Sequence, residues 1–224
     1  MLNHISTYGL LLFYYALFFI AVYTASKNGS GQLRDIMRSK GEPGILFSRM
    51  LAGIFFLGIG TMHLIIKRNI DAGIFIPANN NEPVTYWLVP AAAAALAGTF
   101  SAFKKLTPQH TAFLPFHLPL SFVLVRTLFL IVYEFFFRGV MLFVMIDDFG
   151  MAAAVVINII LYVLIHWFDK KERYGSVPVG LLLCMVSIYY RSVWPAIAIH
   201  IALALGHEIT LLIKNRSLIK KLWL

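Results

Sequence analysis

Leu130-Ile131-Val132-Tyr133-Glu134-Phe135-Phe136-Phe137-Arg138-Gly139-Val140-Met141-Leu142-Phe143 is apolar except for one acid and one base placed four residues apart. A run of this length and hydropathy belongs in lipid, where a charged side chain costs on the order of 3 kcal/mol at mid-bilayer. Charges kept at that cost mark a cavity, a pathway or a site. On a helix Glu134 faces Arg138 in the favourable orientation of an ion pair. From the residues alone the pair is either internal neutralisation that serves packing or part of a functional centre.

The surrounding composition agrees with a membrane setting. The 224-residue chain is 60% hydrophobic and 13% charged, too few charges to cover a soluble domain. Apolar runs near the roughly 20 residues that cross a bilayer lie at 8–25, 45–66, 84–103, 127–146, 150–168 and 194–213, with a shorter one at 177–190. None shows the alternating polarity of a transmembrane β-strand, so all seven are expected to be helices. The fold class is all-α, a polytopic transmembrane bundle of about seven helices. Residues 1–113 are expected to be scaffold and 114–224 the functional core.

The net charge of +9 follows the positive-inside rule and does not call for nucleic acid. Lys27, Arg34, Arg38, Lys40, Lys104, Lys105, Lys170, Lys171, Arg173, Lys214, Arg216, Lys220 and Lys221 fall on one side, and only Lys67, Arg68 and Arg191 on the other. Thirteen against three puts the N-terminus outside and the C-terminus in the cytoplasm. The same bias requires an odd number of spans, which supports counting the short one. Nothing basic precedes the first apolar run and no small-residue cleavage site follows it, so it is expected to be a retained helix. With Cys184 alone, neither a disulfide within the chain nor a cysteine-based zinc site is available. No internal repeat or pair of broken helices favours a transporter.

Along the chain, Gly53, Gly58, Gly60, Gly98 and the run Ala91 to Ala95 supply smooth faces for close helix packing. Pro108, Pro115 and Pro119 cannot all sit inside one regular helix, so 107–119 is expected to be an interfacial segment, with His110 and His117 on the surface. His63 is expected at an interface. The fifth run brings Asn158, Tyr162 and His166, the last two on one face, and the seventh brings His200, His207 and Glu208. One intramembrane histidine is readily a satisfied core residue. Two helices each offering one, beside a helix offering a carboxylate, point to a site.

The order Tyr133 to Gly139, then Tyr162 to His166, then Gly180 through Tyr190-Arg191-Ser192-Val193-Trp194-Pro195 to His200, resembles the CPBP or Abi family of CAAX prenyl protease type II-like membrane proteins. The resemblance runs from about Arg126 to Ile213. It implies an intramembrane glutamic-type peptidase built on E-E-x-x-x-R, F-x-x-x-H and H-x-x-x-N, in which the first Glu and first His activate water and the later His and Asn stabilise the oxyanion. This chain departs twice, with Tyr133 at the first Glu and Ala204 at the Asn. Glu134, Arg138, His166 and His200 remain as the candidate catalytic residues, with His207 or Asn158 as stand-ins for the missing polar group. The expected occupant is a membrane-bound or lipidated peptide, or a partner membrane protein, in a bacterial inner membrane. No cofactor is implied. Zinc held by Glu134, His166 and His200 is a chemically legitimate alternative, as is a non-catalytic member of the same fold.

A rough depth follows from 1.5 Å per residue. Glu134 and His166 are expected within about 10 Å of the cytoplasmic face and His200 about as far from the outer one, a gap that a short, tilted sixth span would have to close.

Overall fold

The computed structural model describes residues 2–37, 42–68, 70, 85–105 and 117–214. These form α1 (Leu2–Lys27), α2 (Leu33–Met37), α3 (Pro43–Arg68), α4 (Thr85–Lys105), α5 (His117–Glu134), a π-helical segment (Phe135–Met141), α6 (Leu142–Phe149), α7 (Met151–Ile165), α8 (Lys170–Tyr190) and α9 (Trp194–Lys214). No strand occurs among the described residues, and the architecture is a polytopic helical bundle. Among the described residues five helices are long and apolar enough to cross a membrane: Thr7–Lys27, Pro43–Arg68, Tyr86–Phe103, Leu120–Phe149 and Trp194–Ile213. Met151–Ile165 is apolar but shorter. Side chains such as Ile66, Val89, Leu96 and Leu120 stand largely exposed on the outer surface, where the bilayer covers them.

Among the helix ends that differ from the runs read in the sequence, three bear on the site. The fourth rod starts at His117, ten residues before 127, because Pro119 falls in the first turn, where its missing N–H would have had no intrahelical partner anyway. Pro108, Pro115 and His110 lie outside the described residues. α8 begins at Lys170 and not at 177, since the charged stretch Lys170 to Arg173 forms its first turn. α7 ends at Ile165, and Gly150, with φ 79° and ψ 162°, makes the sharp break from α6 that a side chain would resist. Starting α5 earlier moves Glu134 to the fifteenth of the 30 residues in Leu120–Phe149, the middle of that span. The expected depth gap between Glu134 and His200 is therefore absent.

The helices wrap around the fourth rod. α3 packs on α1 and α5, α7 on α6 and α8, and α9 on α5 and α8, while α4 lies chiefly on α9. That last pair is close because it is smooth. A Cβ on Gly98 would stand 2.2 Å from the Leu203 carbonyl oxygen, and one on Gly206 would stand 2.5 Å from that of Ala95. Small-residue faces drive such approach in lipid, where the hydrophobic effect gives helices no reason to associate. The core around the rod includes Phe18, Met50, Leu57, Phe136, Phe137 and Met141.

Candidate functional site

The π-helical turn covers Phe135–Met141 and begins directly after Glu134. Its wider i to i+5 bonding is uncommon and tends to be kept at functional positions. The Phe137 carbonyl accepts the Leu142 N–H across that turn, and the Asn158 amide donates to the same oxygen at 2.7 Å. Cys184 Sγ in turn lies 3.4 Å from Asn158 Oδ1. Asn158 is thus occupied in holding the backbone of the fourth rod against α7 and α8.

Glu134 and Arg138 are both wholly buried, and their side chains meet at 3.3 Å. The same oxygen, Oε1, is 2.5 Å from Nδ1 of His200 on α9. A carboxylate so placed accepts, so His200 donates a proton to it from Nδ1. The Arg138 guanidinium lies 4.2 Å from the centre of the Tyr162 ring, a cation–π contact that further balances its charge in a dry setting. Three of the four candidate residues therefore form one buried cluster, carried by two helices and capped by a ring from a third.

His166 stands apart from that cluster. It follows the last turn of α7, and its Nδ1 is 3.4 Å from Glu172 Oε2 in the first turn of α8. Its Nε2 is buried without a hydrogen-bond partner. The Tyr162 ring lies between the two histidines, 4.9 Å from His166 and 6.2 Å from His200, centre to centre. Glu134 pairs with Arg138 and His200, and His166 pairs with Glu172.

A cavity of about 520 Å³ adjoins both groups. Tyr133, His166, His200 and Ala204 line it, whereas Glu134 and Arg138 do not. Tyr133 is packed among Phe129, Phe137, Tyr162 and His200, and its hydroxyl is buried without a partner. Phe18, Arg49 and Gly98 from the first three long helices also line the cavity. The N-terminal part of the chain supplies walls as well as support.

At the cavity's polar end the loop after α1 folds across, tied by Asp169 to Arg34 at 2.6 Å and to Gln32 at 3.2 Å. Arg126 pairs with Glu208 at 3.1 Å, and Arg49 donates to the Gly31 carbonyl at 2.5 Å. His207 also lines the cavity, with Nδ1 3.3 Å from the Gly98 carbonyl oxygen. The opposite rim of the bundle carries Tyr8 and Arg68, both on Asp148. His63 lies in α3 near the Tyr14 ring, and His117 opens α5.

Glu172, Arg49 and Arg126 escape a reading of the sequence as functional groups. Glu172 is the one acid inside the basic run 170–173, six residues after His166, and that isolation is the available signal. Partial desolvation would raise its carboxyl, but the hydrogen bond and charge of His166 outweigh it and hold the group below the ordinary glutamate range. Among the described residues no three His, Cys, Asp or Glu side chains gather as a metal site, and Glu134, His166 and His200 do not converge on one point.

No curated protein and no solved structure matches the chain. Residues 115–205 match the family model described as Type II CAAX prenyl endopeptidase Rce1-like, and that stretch includes Glu134, Arg138, His166 and His200. Over this segment the chain is similar to the CAAX prenyl endopeptidase type II (CPBP) family, and its helices of membrane-spanning length are those of an integral membrane protein.

Proposed function

We propose that the chain is a binding member of this family, whose cavity receives a membrane-bound or lipidated peptide, or a segment of a partner membrane protein, and leaves it intact. The observation that supports this is the withdrawal of Glu134 from the cavity into its contacts with Arg138 and His200. Glutamic peptidase chemistry needs a carboxylate and an imidazole sharing the attacking water. Here the cavity offers Tyr133 at that position, a phenol of reference pKa near 10 and a poor base at neutral pH. Ala204, which also lines the cavity, brings no donor to a developing oxyanion, a loss worth about 3 kcal/mol of barrier in such sites. In this reading Glu134, Arg138 and His200 hold the helices in place, and His166 faces the occupant. The charge bias of the loops supports a cytoplasmic C-terminus and cavity mouth, and the setting in this reading is a bacterial inner membrane. Residues 1–113 and 114–224 then act as two parts sharing one pocket.

A second reading keeps hydrolysis and rests on His166. With Nδ1 on Glu172 and Nε2 unpartnered, the imidazole is oriented as a base. His200 would then stabilise the oxyanion, with Glu134 and Arg138 setting its charge. The two readings separate when the reconstituted native protein is incubated with membrane-anchored peptides carrying a photo-crosslinker and analysed by mass spectrometry. Intact peptides cross-linked to cavity residues are expected. New peptide termini that appear with native protein and vanish with His166→Ala would overturn the binding reading.

A further inference from the structure

The cavity's charges do not close on one another. Asp169 takes Arg34 and Gln32, Asp35 lies 3.8 Å from Arg34, Glu208 takes Arg126, and Glu172 takes His166. Arg49 is the exception. It is the seventh residue of α3, within a helix of membrane-spanning length, and no described carboxylate lies within ion-pair distance of it. Its one hydrogen bond goes to the Gly31 carbonyl, and its Nε–H is buried without an acceptor.

Of the three other unsatisfied groups described on the same walls, His166 Nε2 is an acceptor and the remaining two are donors like Arg49. Arg34 Nε and the Tyr133 hydroxyl are buried without hydrogen-bond partners, and both residues line the cavity. The surplus is therefore of donors. A buried donor is costly until something supplies an acceptor, and a guanidinium is best satisfied by an anionic, flat or tetrahedral oxygen group that takes two of its N–H bonds. The remaining wall is apolar, with Phe18, Val22, Leu46, Met50, Phe122 and Phe129 contributed by α1, α3 and α5. A pocket of about 520 Å³ with an apolar flank and, at its polar end, one guanidinium outside the ion pairs lies in the size range of small-molecule sites.

We propose that this cavity holds a single-chain amphiphile with an anionic head, its phosphate or carboxylate oxygens on the Arg49 guanidinium and its chain along the apolar wall. The proposal rests on the binding reading above and names the chemistry of the occupant. A lipid of the surrounding membrane and the anionic end of a lipidated peptide share that chemistry.

The test uses purified full-length protein in dodecyl maltoside, titrated with dodecyl phosphate and followed by native mass spectrometry and thermal shift. One dodecyl phosphate per chain is expected, with binding weakened about ten-fold or more in Arg49→Gln. Tyr133→Phe removes one oxygen without changing the wall, and a loss of a few-fold is expected there. It keeps the test decisive if Arg49→Gln fails to fold. Inorganic phosphate and dodecyltrimethylammonium at matched concentrations should not bind. Equal binding of the cationic amphiphile, or native-like affinity in the substituted proteins that fold, would overturn the anion site. Dodecyl phosphate that fails to bind leaves a water-filled cavity and also overturns it. Peptide cleavage measured on the same preparation separates the two ideas: cleavage together with Arg49-dependent binding would refute the binding reading and leave the anion site standing.

Discussion

His200 and His166 each lean on a glutamate, yet their surroundings differ in every respect that sets an energy. The His200 contact is 2.5 Å long, to a carboxylate that is 0% exposed and already paired with Arg138. The His166 contact is 3.4 Å long, to a carboxylate whose side chain is 41% exposed. A dry, shared pair couples its members strongly, because removing one leaves the others charged and unsolvated. A wet pair is screened and contributes little. The same two residue types thus hold helices together in one place and leave a group available to an occupant in the other.

Substitutions should separate the two regions by size of effect. Glu134→Ala strands Arg138 and His200 in the core, so a loss of about 3–5 kcal/mol is expected, read by reversible unfolding in mixed micelles. If the loss is under about 1 kcal/mol, the cluster is not coupled as described. Pairing Glu134→Gln with Arg138→Met should cost clearly less than the sum of the single changes, because the double variant leaves no charge orphaned; strict additivity in that cycle would argue that the two side chains act independently. Asn158→Ala removes a buried donor from the Phe137 carbonyl, and a loss of about 1–3 kcal/mol is expected. Glu172→Ala should change stability by about 1 kcal/mol or less. A larger change would place His166 in the structural core after all.

The wet pair also has a pH signature. Because the folded Glu172 carboxyl sits below its ordinary range, the pair stabilises the fold above the unfolded glutamate pKa and loses that contribution as pH falls through the lower, folded one. Isotope-edited infrared titration of Glu172 should show this depressed midpoint, and His166→Ala should move it upward. A midpoint that stays put in His166→Ala would mean the pair does not exist in solution.

Much of the fold is legible in the chain. Apolar runs of bilayer length give the rods, and the four-residue spacing of Glu134 and Arg138 gives their contact. What escapes is helix phase and helix start. Pro119 reads as a breaker, though the first turn of a helix accepts it, and that one misplacement moves Glu134 from the bilayer centre towards its face. The meeting of Glu134 with His200 depends on how α9 faces the rod just where it passes from α to π geometry, which no local pattern encodes. Glu172 hides inside a basic run that reads as a solvated loop, and only the earlier start of α8 brings it to His166. The empty acid position at Tyr133 is visible in the motif itself. Its consequence, a cavity lined by a phenol while the carboxylate faces away, needs the packing.

The decisive measurement restores the two missing groups together. Tyr133→Glu with Ala204→Asn should confer cleavage of a membrane-anchored peptide mixture, followed by mass spectrometry in proteoliposomes, while the native protein leaves every peptide intact. Cleavage by the native protein that Glu134→Gln abolishes would contradict the account, because it would place that carboxylate on the attacking water and not behind the cavity wall.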